Sequence, residues 1–170
     1  MSEPGHLVDD GATSYATATD FVDTFTEQLD SLYLLSLLLT ADNGKAEQCL
    51  VCAMGDCVDG IRVFKGWEFS WARQAVLKYA IQIIMPMPVH AESLSSLSFE
   101  VAGTSGENSP FAAIVSLAAF ERFVFVMLIL ERRSELECAI LLRCSREDIT
   151  IARTLALKRL ATGAPERAYW

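Results

Sequence analysis

The sequence has few of the residues that most enzymes use for catalysis. It contains two histidines, His6 and His90, and each lies in a stretch without helical periodicity. Neither completes a Ser-His-Asp arrangement or an HExxH motif, and no glycine-rich phosphate loop is present. We therefore expect no catalytic residue, no cofactor and no small-molecule substrate, which together indicate a protein that is not an enzyme.

Long hydrophobic runs are also absent. The two longest apolar stretches, residues 32–39 and 123–130, fall short of the ~18 residues that a membrane helix needs. The first ten residues, MSEPGHLVDD, are acidic and lack the basic-then-apolar order of a secretory leader. We expect a cytoplasmic protein with no membrane partner.

The cysteines form no complete set of metal ligands. The spacing Cys49-x-x-Cys52 also occurs in zinc and redox sites, but no second pair follows at ligand spacing. The pattern favours side chains that are buried, reduced and free of metal, although a metal site remains an alternative. The five residues concerned are Cys49, Cys52, Cys57, Cys138 and Cys144.

Basic residues are scarce and unevenly distributed in this chain of formal net charge −8. Residues 1–109 hold 5 Lys and Arg against 15 Asp and Glu, whereas residues 110–170 hold 9 against 7. Only the C-terminal part therefore has a charge balance that suits a polyanionic partner such as DNA.

Apolar residues recur at helical spacing through most of the chain, which predicts an all-α fold. Periodicity is lost between Pro86 and Ser109, where Pro, Ser, Gly and Glu dominate, and this predicts a flexible linker between two small helical domains. We expect a mobile segment at 1–17, a first domain at 18–85, the linker at 86–109, a second domain at 110–162 and a tail at 163–170. The expected helices are about 19–40, 45–58, 68–84, 110–117, 118–132, 134–142 and 146–161.

The last two expected helices have the layout of a helix-turn-helix. Ser134 with Glu137 three residues later forms a capping box, and Ser145 with Asp148 repeats the arrangement. The break between the helices, residues 143–145, is short enough to impose the helix-turn-helix angle. An amphipathic helical hairpin without a DNA role remains an alternative. The apolar residues expected to face one another are Leu136, Ala139, Ile140, Ile149 and Ala152.

This order of parts resembles the sigma-70 family of bacterial RNA polymerase sigma factors, and in particular its small extracytoplasmic-function branch. More specifically, the whole chain resembles a divergent set of short sigma-like proteins seen in acidobacteria. The likeness covers roughly residues 20–85 and 110–161. In the second domain, residues 117–160 are similar to the domain that reads the promoter −35 element. In the first, LYLLSLLLTADNGKAEQCLVCAM is similar to the helices that bind the polymerase clamp, and Phe69-Ser70-Trp71 begins a segment similar to the promoter-melting helix.

The resemblance implies a transcription initiation factor whose partners are core RNA polymerase and promoter DNA, with an anti-sigma factor as a further candidate partner. Helical spacing places the candidate base-reading residues on one face of the last helix, with further cations near the phosphates. The DNA-binding candidates are Arg143, Arg146, Thr150, Arg153, Thr154, Lys158 and Arg159. The polymerase-binding candidates are Asp42, Glu47, Gln48 and Asp56.

The sequence departs from the family pattern at two places. The turn of the helix-turn-helix usually contains a glycine with a left-handed backbone, a role that Arg143 or Cys144 must take here. The helix ending at Ile84 lacks the family's basic run. A rival function is therefore a degenerate sigma-like regulatory protein that binds polymerase, a sigma factor or itself without reading DNA. For the aromatic residues near residue 70, helical spacing favours burial in the core, and a role in unstacking bases is the alternative. These residues are Trp67, Phe69 and Trp71.

Overall fold

The computed structural model describes residues 15–59, 62–88 and 109–162 of the 170-residue chain. These residues are all-helical, as the sequence predicts, and the described part contains no strand. The helices are α1 (Ala18–Glu27), α2 (Leu29–Thr40), α3 (Asn43–Val58), α4 (Glu68–Ile84), α5 (Pro110–Val115), α6 (Ala119–Phe125), α7 (Glu135–Leu142) and α8 (Arg146–Thr162), with a π-helical segment at Val126–Leu130 between α6 and α7.

The first helical stretch is two helices instead of the one that the periodicity predicts. Gln28 separates α1 from α2 with φ −106° and ψ 16°, and α2 resumes at the next residue. The second stretch begins two residues earlier than expected because Asp42 caps it, its side chain accepting a hydrogen bond from the Lys45 amide at 2.8 Å.

The last three residues of the predicted mobile segment 1–17 make contacts with the rest of the fold. The Ala16 amide donates a hydrogen bond of 2.7 Å to the Val63 carbonyl, and the rings of Tyr15 and Phe64 stack with centroids 5.0 Å apart. Thr17 then caps α1 with a reciprocal capping box. Residues 1–14 lie outside the described part of the chain, as do residues 89–108 of the predicted linker and residues 163–170 of the predicted tail.

The buried core continues from the N-terminal helices into the C-terminal ones. Phe21, Leu39 and Leu77 belong to the same apolar cluster as Phe123 and Ile149. Polar contacts cross the same boundary: Arg73 on α4 forms an ion pair with Glu131. The division into two domains stays a prediction, and the structure shows extensive packing between the two groups of helices.

Candidate nucleic-acid interface

The connection between α7 and α8 is a three-residue turn with a left-handed first residue. Arg143 takes φ 53° and ψ 46°, and so occupies the conformation for which many such turns use glycine. The following amide, that of Cys144, donates a 3.0 Å hydrogen bond to the Ala139 carbonyl. Of the two residues that the sequence offered for this conformation, Arg143 is the one that takes it.

Both serine caps form as the sequence predicts. Ser134 and Glu137 exchange hydrogen bonds in a capping box at the start of α7. At the start of α8, the Asp148 amide donates to Ser145 Oγ at 3.1 Å, and the Ser145 amide donates to the Asp148 carboxylate at 2.9 Å. These bonds fix the direction in which each helix leaves its loop.

The apolar contact between α7 and α8 is narrower than the sequence suggests. Ala139, Ile149 and Ala152 are buried, as predicted. Leu136 and Ile140 are 55% and 66% exposed, so the prediction that they face α8 is wrong. Leu136 and Ile140 lie on the solvent-exposed side of α7. The small Ala139 is instead buried in the cluster that includes Ile149 of α8.

Three of the candidate DNA-binding arginines have carboxylate partners within the chain. Arg153 donates a 2.8 Å hydrogen bond to Glu135, and Arg146 lies 3.9 Å from the other oxygen of the same carboxylate. Arg159 pairs with Glu121 at 2.8 Å. Burial raises the pKa of Glu121, and the nearby Arg159 opposes that rise.

The remaining candidates present a polar face to solvent. Thr150 and Thr154 are exposed, and their hydroxyls donate to the carbonyls of Arg146 and Thr150 at 3.0 and 2.9 Å. Arg143 and Lys158 are exposed, and neither forms an ion pair within the described residues. The predicted face of α8 therefore exists, with its charge partly offset by Glu135.

A second exposed surface lies between α3 and α4, and Trp67 is the only one of its residues that the sequence marked as a candidate. In the segment 62–67, Val63 is buried while the basic and aromatic residues on either side of it are exposed. Gly66 turns the chain with φ 90°, and its amide donates to Glu68 at 2.7 Å. We call this surface the aromatic-basic loop; its exposed members are Arg62, Phe64, Lys65 and Trp67.

The aromatic-basic loop could have been predicted from the sequence RVFKGW, in which basic and aromatic residues alternate. Trp67 is 67% exposed and Trp71 is 38% exposed, so placing them in the core is wrong. Phe69 is partly buried against the core, and its ring lies under the Arg73 guanidinium at 5.3 Å. Aromatic rings beside cations are the groups that hold unpaired bases.

The four polymerase-binding candidates differ in their surroundings, and two of their three carboxylates have partners within the chain. Asp42 caps α3, and Asp56 pairs with Lys78 at 2.7 Å. Glu47 and Gln48 are exposed. The neighbouring Val51 is 71% exposed, so this outer face of α3 carries both polar and apolar groups.

The cysteines are more varied than predicted. Cys49, Cys57 and Cys138 are buried, which confirms the predicted burial of these three, whereas Cys52 and Cys144 are only partly buried. Burial raises the pKa of Cys49 to about 12 and the pKa values of Cys57 and Cys138 to about 11. Within the described ranges, no three Cys, His, Asp or Glu residues are grouped so as to hold a metal ion; His6 and His90 lie outside those ranges.

No helix in the described part of the chain is long and apolar enough to cross a membrane. Neither the protein-family models nor the curated proteins contain a match to this chain. Any statement about function therefore depends on the surfaces that the helices present.

Proposed function

We propose that this protein is a sigma-like transcription factor that binds promoter DNA through α8 and core RNA polymerase through its N-terminal helices. The observation that carries the proposal is the exposed face of α8 behind a short, doubly capped turn, with Arg146, Thr150, Thr154 and Lys158 available to a groove of DNA. Arginine reads guanine with two hydrogen bonds, and a threonine methyl contacts thymine. Lysine contacts phosphates and adds salt-dependent affinity.

The aromatic-basic loop supports the same proposal from the other half of the chain. Its two cations and two exposed rings suit single-stranded DNA, in which bases are free to stack on protein side chains. They lie in the half that is acidic overall, so they supply local positive charge where the composition alone suggested none. The helix that ends at Ile84 lacks the basic run of the sigma family, and the cations of this loop could take over part of its role in binding DNA.

The ion pair between Arg153 and Glu135 does not prevent DNA binding. The two side chains are 40% and 29% exposed, and pairs at such exposure contribute at most about 1 kcal/mol. A two-pronged contact between arginine and guanine contributes about 1–3 kcal/mol of discrimination. Arg153 can therefore exchange its contact with Glu135 for a contact with DNA. The competing carboxylate lowers the affinity for DNA but does not abolish binding.

A second candidate function is a sigma-like regulatory protein that binds polymerase or another protein without reading DNA. The observation that favours it is the pairing of Arg146, Arg153 and Arg159 with carboxylates of their own chain. Exposed apolar side chains on both helices of the hairpin, including Ile140 and Leu157, also suit a protein partner.

Titration of the full-length protein with a fluorescent promoter-length duplex, followed by anisotropy at two salt concentrations, separates the two functions. Under the DNA-binding proposal, Glu135→Gln strengthens binding roughly fivefold because it removes a competing charge worth about 1 kcal/mol. Arg153→Ala costs about 1–3 kcal/mol and relaxes sequence preference. Lys158→Met weakens binding to every sequence and makes the slope of log affinity against log salt shallower by about one.

Lys45→Met is the matched control, because Lys45 is an exposed lysine on α3 that should not contact DNA. Co-purification with core RNA polymerase, compared between the native sequence and Glu47→Lys, tests the N-terminal half separately. Retention by polymerase without any DNA affinity at low salt would replace the first function by the second. Absence of both interactions would reject the first function and, for the second, the version in which polymerase is the partner.

A further inference from the structure

An open groove of about 820 Å³ lies between α4 and the turn that connects α7 to α8. Its walls come from both halves of the chain: the outer side of α4 and the segment that follows it on one side, and the end of α7 with Arg143 on the other. Sites for small ligands typically have volumes of roughly 300–1,000 Å³, so the groove is large enough for a molecule of that class.

The walls of the groove are mostly apolar and include adaptable side chains. Trp71 is 38% exposed and offers a flat ring, while Met85 and Met87 are 71% and 73% exposed at the rim. Leu142 is buried and closes the opposite side. Methionine side chains are flexible and polarisable, so they fit around apolar ligands of irregular shape.

The two rims are fixed by the backbone. Met85 ends α4 with φ 49°, and Arg143 ends α7 with φ 53°, and both amides are hydrogen-bonded to the preceding helical turn. A groove whose edges are already ordered loses less conformational entropy when a ligand binds.

The charges that face the groove leave one cation available. Asp56 and Lys78 satisfy each other at 2.7 Å. Arg143 is exposed at the opposite rim, and no carboxylate of the described residues lies within ion-pair distance of it. The groove thus combines a large apolar surface with a single unpaired guanidinium, a combination that complements an apolar molecule ending in one acidic group.

We propose that this groove is a binding site for an amphiphilic small molecule that has an apolar body and a single carboxylate. The body lies against Trp71 and the two methionines, and the carboxylate accepts hydrogen bonds from Arg143. The proposal does not rest on the DNA-binding and polymerase-binding function proposed above, and its test involves neither partner. Arg143 is the one groove residue that is also a DNA-binding candidate.

The experiment is a titration of the isotope-labelled full chain with naphthalene-2-carboxylate, followed by heteronuclear NMR. Naphthalene-2-carboxamide has the same shape without the charge and serves as the matched ligand. The carboxylate should shift the Trp71 indole resonance and the amides around Arg143, and should bind about tenfold more tightly than the amide, the ratio expected for a charge-assisted hydrogen bond.

Two pairs of variants locate the site. Arg143→Asn should remove the preference for the carboxylate, and asparagine tolerates the left-handed backbone at that position. Arg132→Asn is its control, because Arg132 is also an exposed arginine with a left-handed backbone, φ 53°, but does not line the groove. Trp71→Ala should weaken both ligands, whereas Trp67→Ala, outside the groove, should weaken neither.

Three results would each overturn the proposal. The first is an absence of shifts at Trp71 and Arg143 with the carboxylate at millimolar concentration. The second is equal affinity for the carboxylate and the carboxamide. The third is an equal effect of Arg143→Asn and Arg132→Asn, which would mean that general surface charge, and not this groove, attracts the acid.

Discussion

Arg122 is a buried arginine whose guanidinium is bound by backbone carbonyls. It donates to the carbonyls of Leu39 at 3.2 Å, Val115 at 3.3 Å and Leu117 at 2.8 Å, and only 6% of the residue is exposed. Burial lowers its pKa. Two of these carbonyls belong to the last turns of α2 and α5, where helix dipoles favour a cation. One side chain therefore joins three helices from the two halves of the chain.

The thiols should divide into two classes by reactivity. At pH 8 the buried Cys49, Cys57 and Cys138 should react slowly with a maleimide, because the thiolate is the reactive form and their pKa values of about 11 to 12 leave little of it. Cys52 and Cys144 are partly exposed and should react first, with Cys144 the slower of the two because burial raises its pKa. Mass spectrometry of the native protein should show two rapid additions, against five after denaturation.

Raising the pH from 8 to about 9 should accelerate labelling of the slow class, since the thiolate fraction increases with pH as long as the pH is below the raised pKa. Cys52→Ser with Cys144→Ser is the control, and it should remove the rapid phase. Rapid labelling of Cys49 or Cys138 in the native protein at pH 8 would contradict the burial described above.

At the scale of helices, the sequence allowed accurate prediction wherever caps and breakers mark the ends. The bounds of α4 and α7 agree with expectation to within one residue. The break at Gln28 was missed because it contains neither glycine nor proline, and apolar spacing continues across it. The π-helical segment Val126–Leu130 was missed for a related reason: an extra residue in a turn depends on packing, which a period of 3.6 residues does not encode.

Serine residues at helix N-termini differ in how strongly they cap, and Ser134 has a glutamate three residues later whereas Ser109 does not. Ser134 binds the Glu137 amide at 3.2 Å, whereas Ser109, which precedes the proline of α5, makes no side-chain cap hydrogen bond. Ser134→Ala should therefore lower the free energy of unfolding by about 1 kcal/mol. Ser109→Ala is the matched control and should change it by less than about 0.5 kcal/mol.

Urea denaturation at pH 7 measures both values. The Ser134 cap should weaken in acid, because hydrogen bonds from Ser134 hold the pKa of Glu137 below its usual range. The stability that this carboxylate contributes is present above the unfolded-state pKa and is lost as the pH falls through the lower folded-state pKa. Equal losses from the two serine substitutions would contradict this account.

At the scale of the whole molecule, the spacing of apolar residues predicted helices but not how they meet. Residue spacing places Arg146, Thr150, Arg153 and Thr154 on one side of α8, whereas Arg159 pairs with Glu121 of α6. The pairing of Glu135 with Arg146 and Arg153 depends on the angle between α7 and α8, and Glu135 had no feature in the sequence that marked it as their partner. The aromatic-basic loop was hidden by the acidic average of the N-terminal half, because a net charge does not describe a local surface.

Packing between the two halves should hold them together after the chain is cut. If a specific protease site is placed between residues 89 and 108 and cleaved, the fragments should co-elute in size-exclusion chromatography, because Arg122, the Arg73–Glu131 ion pair and the shared apolar cluster all cross the boundary. Arg122→Met removes hydrogen bonds from a charged donor, each worth about 1.5–3 kcal/mol, and leaves buried carbonyls unpaired. In that variant the cleaved fragments should separate or co-elute only at high concentration. Cleaved fragments of the unsubstituted sequence that elute apart and remain helical would instead support two independent domains joined by a linker.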